Sequence, residues 1–351
     1  MRAAFSWTLA IALGLAAGQA DAALKAELSP AAGKQAGSGM LQYTLRNTGD
    51  QDLLVLAWET PLRGVEDDLF EVWNNGRPMP YVGRHYKRGL PQAEDYIELK
   101  AGSSLSVDVD LSAHYEMDQS GTYRVQFVGH FHDSFSVKSG SRGDAVEAIS
   151  DQDLRSAAVD LWVDGFAQNR GADIDGVMKR TKAGSVSFVG CSNSQASSIS
   201  SGHAASKTMT SGSLSYLNSG ATGSRYTTWF GSYSSSRYNT VKSNFNKISD
   251  ALNNQPLEFY CDCSSSAFAY VYPNQPYKVH LCNAFWSAPT SGTDSKGGTI
   301  VHEVSHFDIV ANTDDLAYGH TACKKLSKQP TRAIRNADSH EYFAENTPAL
   351  N

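Results

Sequence analysis

The chain of 351 residues carries 30 Lys and Arg against 36 Asp and Glu, and 41% of its residues are hydrophobic. Lys and Arg number 18 against 25 Asp and Glu in residues 1–182, and 12 against 11 in residues 183–351. Because neither half has the basic excess typical of nucleic-acid binding, we expect no nucleic-acid partner. The length suits a multidomain protein with two compact domains.

The first residues predict an export signal, which we assign to residues 1–22. Arg2 precedes an apolar run from Trp7 to Ala17, and Ala20-Asp21-Ala22 matches an A-x-A cleavage site. This run is too short to span a bilayer, and no later stretch approaches the roughly 20 apolar residues that a transmembrane helix needs. We therefore expect a secreted, extracellular protein with no membrane partner, present as a monomer.

Residues 23–137 read as short segments that alternate in hydrophobicity between turns, for example Tyr123-Arg124-Val125-Gln126-Phe127. Period-two patterning predicts the strands of an antiparallel β-sandwich. The stretch from Asp118 to Tyr123 resembles a tyrosine corner, a feature of immunoglobulin-like sandwiches. His130 and His132 would face one side of a strand, and we interpret them as exposed residues rather than metal ligands.

Residues 138–182 contain Gly and Ser stretches, an acidic patch at Asp173 and Asp175, and the basic cluster Lys179-Arg180-Thr181-Lys182. Exposed polar segments of this kind are preferred sites of proteolytic nicking. We interpret this region as a linker that is cut during maturation. The alternative is an ordinary interdomain linker that stays intact.

Residues 183–351 show an α+β pattern. The Ser- and Ala-rich stretch from Ser192 to Leu217 allows helices, and the segments 268–272 and 279–281 predict short strands. All the cysteines lie in this half, namely Cys191, Cys261, Cys263, Cys282 and Cys323.

Export to an oxidising compartment favours disulfides. Cys261 and Cys263 are too close in sequence to bridge each other easily, so each should pair outward, with Cys191 and Cys282 as partners and Cys323 left over. A cysteine zinc site is disfavoured because paired C-x₂-C knuckles are lacking.

The run His302-Glu303-Val304-Ser305-His306 is the main candidate for a metal-binding catalytic site. On a helix, residues four apart share one face, so both imidazoles can bind one Zn²⁺ while Glu303 lies beside the metal's open position. Ile300, Val301, Val304 and Phe307 would form the buried stripe of that helix. The alternative is a pair of surface histidines on an amphipathic helix.

A catalytic zinc has three protein ligands and an open position. The places where a metzincin has Gly and His hold Ile309 and Asn312, and no Glu follows where a thermolysin-type ligand would lie. Asp315 is the nearest well-placed carboxylate, but from the residues alone Asp314 is an equal candidate.

At these positions the sequence resembles the deuterolysin-type metallopeptidases, or aspzincins, and especially their peptidyl-Lys metalloendopeptidase branch. The family motif HExxH is matched by His302, Glu303 and His306. The motif GTxDxxYG is matched at Thr313, Asp315, Tyr318 and Gly319, with Asn312 in place of its first Gly. Asn tolerates φ > 0, so the turn should survive. The likeness extends over roughly residues 188–351.

The resemblance implies an α+β zincin-type metallopeptidase domain over residues 183–351 that binds one Zn²⁺ per chain. His302, His306 and Asp315 would be the ligands, Glu303 the general base, and Tyr318 a donor to the developing oxyanion. It also implies the disulfides Cys191–Cys261 and Cys263–Cys282, with Cys323 unpaired.

Asp338 and Glu341 allow two interpretations. Their spacing alone favours a capping box, with Asp338 as N-cap and Glu341 three residues later. The resemblance instead places both in an S1′ pocket that receives a substrate lysine.

These inferences predict a secreted zinc endopeptidase that acts on proteins and peptides with Lys at P1′ and is made as an inactive precursor. Its propeptide would act as an intramolecular inhibitor and chaperone, and the bonds before Lys179 and Lys182 are candidate self-cleavage sites. The alternative is a secreted β-sandwich binding protein with a non-catalytic zinc site. It is disfavoured because structural zinc sites use four protein ligands and need no adjacent general base.

Overall fold

The structure is a computed structural model that describes residues 24–31, 37–138, 145–165 and 184–351. The predicted signal peptide and the predicted cleavage sites at Lys179 and Lys182 lie outside the described residues. Two large hydrophobic cores are present, one built from residues of the N-terminal half and one from residues of the C-terminal half.

In the described part of the N-terminal half, the chain forms β-strands and three short 3₁₀ turns, at Ala57–Glu59, Ala93–Asp95 and Leu111–Ala113. The strands are β1 (Leu24–Pro30), β2 (Met40–Asn47), β3 (Asp52–Leu56), β4 (Phe70–Asn74), β5 (Arg77–Pro78), β6 (His85–Lys87), β7 (Tyr96–Leu99), β8 (Ser104–Asp110), β9 (Gly121–Phe131), β10 (Phe135–Lys138), β11 (Ala145–Ala148), β12 (Gln152–Arg155) and β13 (Val159–Val163).

Except for β6, these strands form three antiparallel sheets, with orders β1-β2-β8, β11-β10-β3-β7 and β12-β9-β4-β5, and β13 also pairs with β9. The period-two prediction is confirmed along β9, where Tyr123, Val125 and Phe127 are fully buried and alternate with more exposed residues. The Tyr123 hydroxyl donates to the Gln119 carbonyl oxygen at 2.8 Å, as in a tyrosine corner.

Residues 145–163 differ from the prediction of a linker over 138–182. They form β11, β12 and β13, which pair with strands of the N-terminal sheets. Leu161 and Val163 are buried in the N-terminal core because the segment from Val159 to Val163 alternates in hydrophobicity as a strand does. The N-terminal domain therefore extends to Val163, beyond the predicted boundary at residue 137.

The C-terminal half is a mixed α/β domain. Its strands are β14 (Val186–Val189), β15 (Leu257–Tyr260), β16 (Ala269–Val271) and β17 (Lys278–Leu281). Its helices are α1 (Asn193–Asn218), α2 (Ser224–Phe230), α3 (Ser235–Asn254), α4 (Asn283–Ser287), α5 (Lys296–His306), α6 (Gly319–Leu326), α7 (Pro330–Ala333) and α8 (Ala337–Glu345). The sheet order is β14-β15-β17-β16. Strands β14, β15 and β17 are parallel to one another, and β16 pairs antiparallel with β17.

A strand of the N-terminal half completes this sheet. β6 pairs antiparallel with β16, so that Lys87 lies opposite Ala269 and His85 opposite Val271. The Phe268 backbone N–H also donates to the Lys87 carbonyl oxygen at 2.8 Å. An extended segment added to a sheet edge in this way is one of the recurrent modes of peptide binding.

Helix α5 is buried along its whole length. It begins after Ser295, whose hydroxyl accepts from the Gly298 N–H at 2.9 Å. A Cβ atom on Gly298 would lie only 2.0 Å from Glu345 Oε1, so glycine is required where α5 meets α8. The predicted apolar stripe of α5 is confirmed, since Ile300, Val301, Val304 and Phe307 belong to the core. The alternative of exposed histidines is wrong.

The structure contains the disulfides Cys191–Cys261 and Cys263–Cys282, with Cα–Cα distances of 5.1 and 4.6 Å. Cys323 is a buried free thiol. Within the described parts of the chain, no helix is long and apolar enough to cross a membrane.

Candidate active site

Two histidines of α5 and one aspartate of the following loop converge in a buried position. The His302 and His306 rings lie 4.8 Å apart, and the loop turns at Asn312, whose φ is 49°. Asp315 Oδ1 lies 3.2 Å from His302 Nε2 and 3.5 Å from His306 Nε2. All three side chains are at most 2% exposed.

These three residues fit a zinc ion. His302 Nε2, His306 Nε2 and Asp315 Oδ2 are buried and have no hydrogen-bond partner, which is costly unless a ligand satisfies them. The distances of 3.2 and 3.5 Å between donor atoms match the separation of about 3.3 Å expected for ligands about 2.0 Å from a tetrahedral zinc. Two imidazoles and a carboxylate are a common zinc donor set.

Neighbouring groups orient both imidazoles. His306 Nδ1 lies 2.7 Å from the Thr313 carbonyl oxygen, so Nδ1 carries the proton and Nε2 is left to bind a metal. His302 Nδ1 lies 2.8 Å from Asp338 Oδ1. A carboxylate or a carbonyl behind each ring is the usual support for metal-binding histidines.

Asp314 and Asp315 have different environments. Asp314 points to exposed Arg335, with which it forms an ion pair, and its backbone N–H donates to the Arg335 carbonyl oxygen at 2.7 Å. The geometry therefore brings Asp315, and not Asp314, to the two imidazoles.

Glu303 is fully buried beside the same centre. Its Oε1 accepts a hydrogen bond from the Lys87 backbone N–H at 3.2 Å, while Oε2 has no partner. Burial and the charge of Asp315 raise the pKa of Glu303 to about 8, although the charge of His302 acts in the opposite direction. A carboxylate with such a pKa can both accept and return a proton near neutral pH.

An acidic pocket lies next to this centre and contains the Lys87 ammonium group. Lys87 Nζ lies 3.0 Å from Glu341 Oε2, 3.2 Å from Asp338 Oδ1 and 3.1 Å from Asp294 Oδ1. The side chains of Lys87, Asp338 and Glu341 are at most 1% exposed. The ammonium group also lies 5.2 Å from the centre of the Tyr342 ring, within cation–π range.

The charges in this pocket stabilise each other. Burial lowers the pKa of Lys87, but the carboxylates of Asp338 and Glu341 outweigh burial and raise it well above its usual value. Burial raises the pKa of Asp338, but the charges of Lys87 and His302 outweigh it and hold the pKa at about 2. Lys87 is therefore an ammonium ion that faces an ionised carboxylate.

The capping-box interpretation of Asp338 and Glu341 is wrong. α8 begins at Ala337 after Asn336, so Asp338 and Glu341 lie inside the helix and share the face that lines the pocket. Asp338 Oδ2 instead accepts from the Gly319 N–H at 2.7 Å, across the loop that carries Tyr318.

Tyr318 immediately precedes α6 and lines a cavity together with Arg88, Asp294 and Tyr342. Burial and the charge of Asp315 raise the pKa of Tyr318 well above its usual value. Its hydroxyl therefore remains protonated and able to donate a hydrogen bond.

Sequence reasoning missed three residues of this site. Asp294 belongs to no motif, but its Oδ1 accepts from the Tyr342 hydroxyl at 2.7 Å and faces Lys87. His85 and Lys87 lie in a half whose other described strands all pair outside the C-terminal sheet. The basic run Arg84-His85-Tyr86-Lys87-Arg88 within an acidic half was the signal that could have identified them.

His130 and His132 lie with their ring centres 6.0 Å apart, and each contacts an acidic side chain. His132 Nδ1 lies 2.5 Å from Oε1 of Glu59, and His130 pairs with Asp153. His132 is 18% exposed, so it is partly buried rather than exposed as predicted.

Comparisons with known proteins agree with this geometry. The profile of the aspzincin family, described as lysine-specific metallo-endopeptidase, matches residues 215–345. An extracellular protease of Aeromonas hydrophila is 45% identical over 316 residues, which cover 89% of each chain. A peptidyl-Lys metalloendopeptidase of Grifola frondosa is 36% identical over 87% of each chain, and that of Pleurotus ostreatus is 48% identical over 46% of this chain and 98% of its own. The chain therefore belongs to the aspzincin family of metalloendopeptidases, enzymes that hydrolyse peptide bonds with the help of a metal ion.

Proposed function

We propose that this protein is the secreted precursor of a zinc endopeptidase that cleaves proteins and peptides on the amino side of lysine. Its N-terminal domain holds the enzyme inactive. The observation that carries the proposal is the Lys87 ammonium group, which the acidic pocket contacts through three carboxylates at 3.0–3.2 Å.

His302, His306 and Asp315 would hold one zinc ion per chain. When bound, zinc supplies Lewis-acid activation of a water nucleophile and of the scissile carbonyl. Glu303 takes the proton of the attacking water and passes it to the leaving nitrogen. The contact of 3.2 Å between Glu303 Oε1 and the Lys87 N–H supports this role, because a peptide nitrogen next to the pocket reaches the carboxylate.

Tyr318 is proposed to donate a hydrogen bond to the oxyanion that forms when water attacks the carbonyl carbon. Its protonated hydroxyl and its place in the cavity beside the pocket support this role.

The pocket formed by Asp294, Asp338 and Glu341 would select lysine at P1′. A lysine ammonium gains charge-assisted hydrogen bonds to all three carboxylates. An apolar side chain would leave the carboxylates of Asp338 and Glu341 buried and unpaired, which is strongly unfavourable. An Arg guanidinium is larger and planar, so it should fit less well.

The N-terminal domain would inhibit by occupying the cleft. β6 takes the edge of β16 and Lys87 fills the pocket, so a substrate peptide cannot enter in the same place. Residues 1–22 are proposed as the signal peptide, and the bonds before Lys179 and Lys182 as self-cleavage sites. An immunoglobulin-like sandwich for the propeptide and a monomeric state are also part of the proposal, the former supported by antiparallel pairing and the Tyr123 hydrogen bond.

Secretion is supported by the two disulfides, which form in oxidising compartments, and by the extracellular location in the name of the Aeromonas relative. The alternative of a non-catalytic binding protein is set aside because the relatives are proteases.

A cleavage-site profile on a denatured protein mixture, read by mass spectrometry, tests the proposal. The processed enzyme should show strong enrichment of Lys at P1′, and Glu341→Gln should reduce that enrichment, with zinc content measured on the same preparation. Asp250→Asn, at an exposed carboxylate of α3, is the matched control and should leave the profile unchanged. A profile without enrichment of Lys in the parent enzyme would refute the pocket assignment.

Glu303→Gln tests the catalytic role and self-processing together. Because the three proposed ligands remain, zinc content should be unchanged, while peptidase turnover should fall by about 10²–10⁴-fold. The full-length variant should also stay uncut in a protease-free preparation. Turnover near that of the parent would disprove the role of Glu303 as general base.

A further inference from the structure

His85 of β6 is buried against the proposed zinc site. Its side chain is 6% exposed, and its Nδ1 lies 3.7 Å from Asp315 Oδ2. The His85 ring stacks on the His306 ring with centroids 4.7 Å apart and an interplanar angle of 21°. His85 Nδ1 has no hydrogen-bond partner among the described residues.

Four buried side-chain atoms without hydrogen-bond partners belong to His85 and to the three proposed ligands. They are His85 Nδ1, His302 Nε2, His306 Nε2 and Asp315 Oδ2. The ligand atoms of His85, His306 and Asp315 all lie within 4.8 Å of one another, as the atoms of a metal site do. Four protein ligands complete the tetrahedral coordination of zinc, whereas three leave an open position.

We propose that His85 is a fourth protein ligand of the zinc ion in the precursor. This inference rests on the proposed zinc site of His302, His306 and Asp315. Imidazole is one of the commonest zinc ligands in proteins, and Nδ1 and Nε2 are both used.

Strand geometry explains how β6 reaches both parts of the cleft. Side chains two residues apart on a strand point to the same face and are separated by about 6.6 Å. His85 is therefore directed to the zinc site when Lys87 is directed to the acidic pocket. Pairing of β6 with β16 fixes this register.

Coordination by His85 also explains why the precursor would be inactive. Lys87 occupies the pocket of a P1′ lysine, so the Tyr86–Lys87 bond would otherwise be placed for hydrolysis. With His85 at the fourth position, the zinc ion has no open position for a water nucleophile. In the precursor, Lys87 thus fills the acidic pocket while His85 fills the fourth position on the zinc ion. Removal of β6 frees the pocket and the fourth position together.

Cobalt substitution tests this inference without a measurement of activity. Full-length Glu303→Gln protein, which should not process itself, is loaded with Co²⁺, and its visible absorption spectrum is recorded with and without acetohydroxamate, a small chelating ligand. We expect the spectrum of the parent to be insensitive to acetohydroxamate. In the same background, His85→Ala should shift the spectrum and make it respond to acetohydroxamate.

Two further variants sharpen the test. His130→Ala removes an imidazole of the same domain that contacts Asp153 rather than the site, and it should behave as the parent. His85→Cys should produce an intense near-ultraviolet thiolate-to-cobalt charge-transfer band, because a thiolate at this position would bind the ion. This gain of signal does not depend on the folding of His85→Ala.

The inference is overturned if the parent responds to acetohydroxamate as His85→Ala does. It is also overturned if His85→Ala leaves the spectrum unchanged and His85→Cys shows no charge-transfer band, as expected if His85 only pairs with Asp315. Asp315→Ala distinguishes this failure from failure of the proposed function. Loss of Co²⁺ binding in Asp315→Ala would support the assignment of the zinc site, whereas full binding by this variant would show that the site itself is misassigned.

Discussion

At the scale of single residues, two adjacent aspartates have opposite roles. Asp315 is 2% exposed and faces His302 and His306, while Asp314 is 25% exposed and pairs with Arg335. Burial raises the pKa of Asp315, but its interactions with the imidazoles of His306 and His302 outweigh burial and hold the pKa well below its usual range. Asp315 is thus kept as the carboxylate that a zinc site requires.

Asp315→Ala should reduce zinc affinity by more than the roughly 10–100-fold that changes behind the ligands typically cost. Asp314→Ala should leave zinc affinity nearly unchanged, since it removes only a partly exposed ion pair with Arg335. Competition with a chromophoric chelator on the Glu303→Gln background measures both. Equal losses in the two variants would mean that the ligand is misassigned.

His340 is a histidine that burial keeps in its neutral form. Its Nδ1 lies 2.9 Å from the Asn336 carbonyl oxygen, and its Nε2 lies 3.1 Å from Asn244 Nδ2. Nδ1 therefore donates and Nε2 accepts. Protonation of Nε2 would place two donors face to face. Burial lowers the pKa of His340 to about 4, and the charge of His302 acts in the same direction.

Because the folded-state pKa of His340 lies below the unfolded value of about 6.5, its contribution to stability is present above pH 6.5 and is lost as pH falls toward 4. The loss should be on the order of 3 kcal/mol at most. Urea unfolding of zinc-free Glu303→Gln protein at pH 7.5 and pH 4.5 measures it. In His340→Gln the difference between the two pH values should be smaller by this amount, and an unchanged difference would contradict the assignment.

At the scale of elements, close approach of two helices positions the residues of the candidate site. α5 packs against α8, so that His302 lies near Asp338 and Glu341. Gly298 permits this approach, because a Cβ atom there would lie 2.0 Å from Glu345 Oε1 and 2.9 Å from Glu341 Oε1. Glycine is otherwise unfavourable inside a helix.

Gly298→Ala should lower the free energy of unfolding by about 1–3 kcal/mol, because the added methyl group displaces two buried carboxylates. Gly212→Ala in α1 is the matched control. A Cβ atom at Gly212 meets nothing within 4 Å, so this change should stabilise the protein by about 0.5–1 kcal/mol. Urea denaturation of both variants in the Glu303→Gln background measures the difference. Stabilisation by Gly298→Ala would show that the two helices are not in close contact.

At the scale of the whole molecule, β6 joins two halves with separate cores. It completes the C-terminal sheet and places Lys87 in the acidic pocket, so in the proposed function substrate binding and domain association compete for one surface. Removal of the Lys87 ammonium would leave Asp338 and Glu341 buried without a cation, and a lysine supplied by another peptide would then be favoured.

Lys87→Met in full-length Glu303→Gln protein should therefore admit a lysine-containing peptide that the parent excludes. Fluorescence anisotropy of a labelled peptide with one central lysine measures binding, and the same peptide with norleucine should bind neither protein. Lys100→Met removes a lysine of the same domain that is 62% exposed, and it should exclude the peptide as the parent does. Equal peptide binding by the parent and Lys87→Met would contradict occlusion of the pocket by Lys87.

The amino-acid sequence by itself determined those features of this protein that depend on residues a few positions apart. The helical placement of His302 and His306, the alternation along β9 and the choice of cysteines for disulfides each follow from residues close in sequence or from simple exclusion. Local spacing left Asp314 and Asp315 as equal candidates for the third ligand. It also favoured a capping box at Asp338 and Glu341, which instead lie inside α8 and line a pocket.

Only the tertiary structure decided how the two halves meet. Lys87 contacts Asp294 and Asp338, which follow it by 207 and 251 residues, and no periodicity connects positions so far apart. A strand of three residues such as β6 carries too little pattern to predict, and its pairing with β16 depends on an edge that exists only after the C-terminal sheet has formed. Folding itself therefore brings a histidine and a lysine of the N-terminal domain to the proposed zinc site and the acidic pocket, because long-range strand pairing is determined by the assembled core rather than by local sequence.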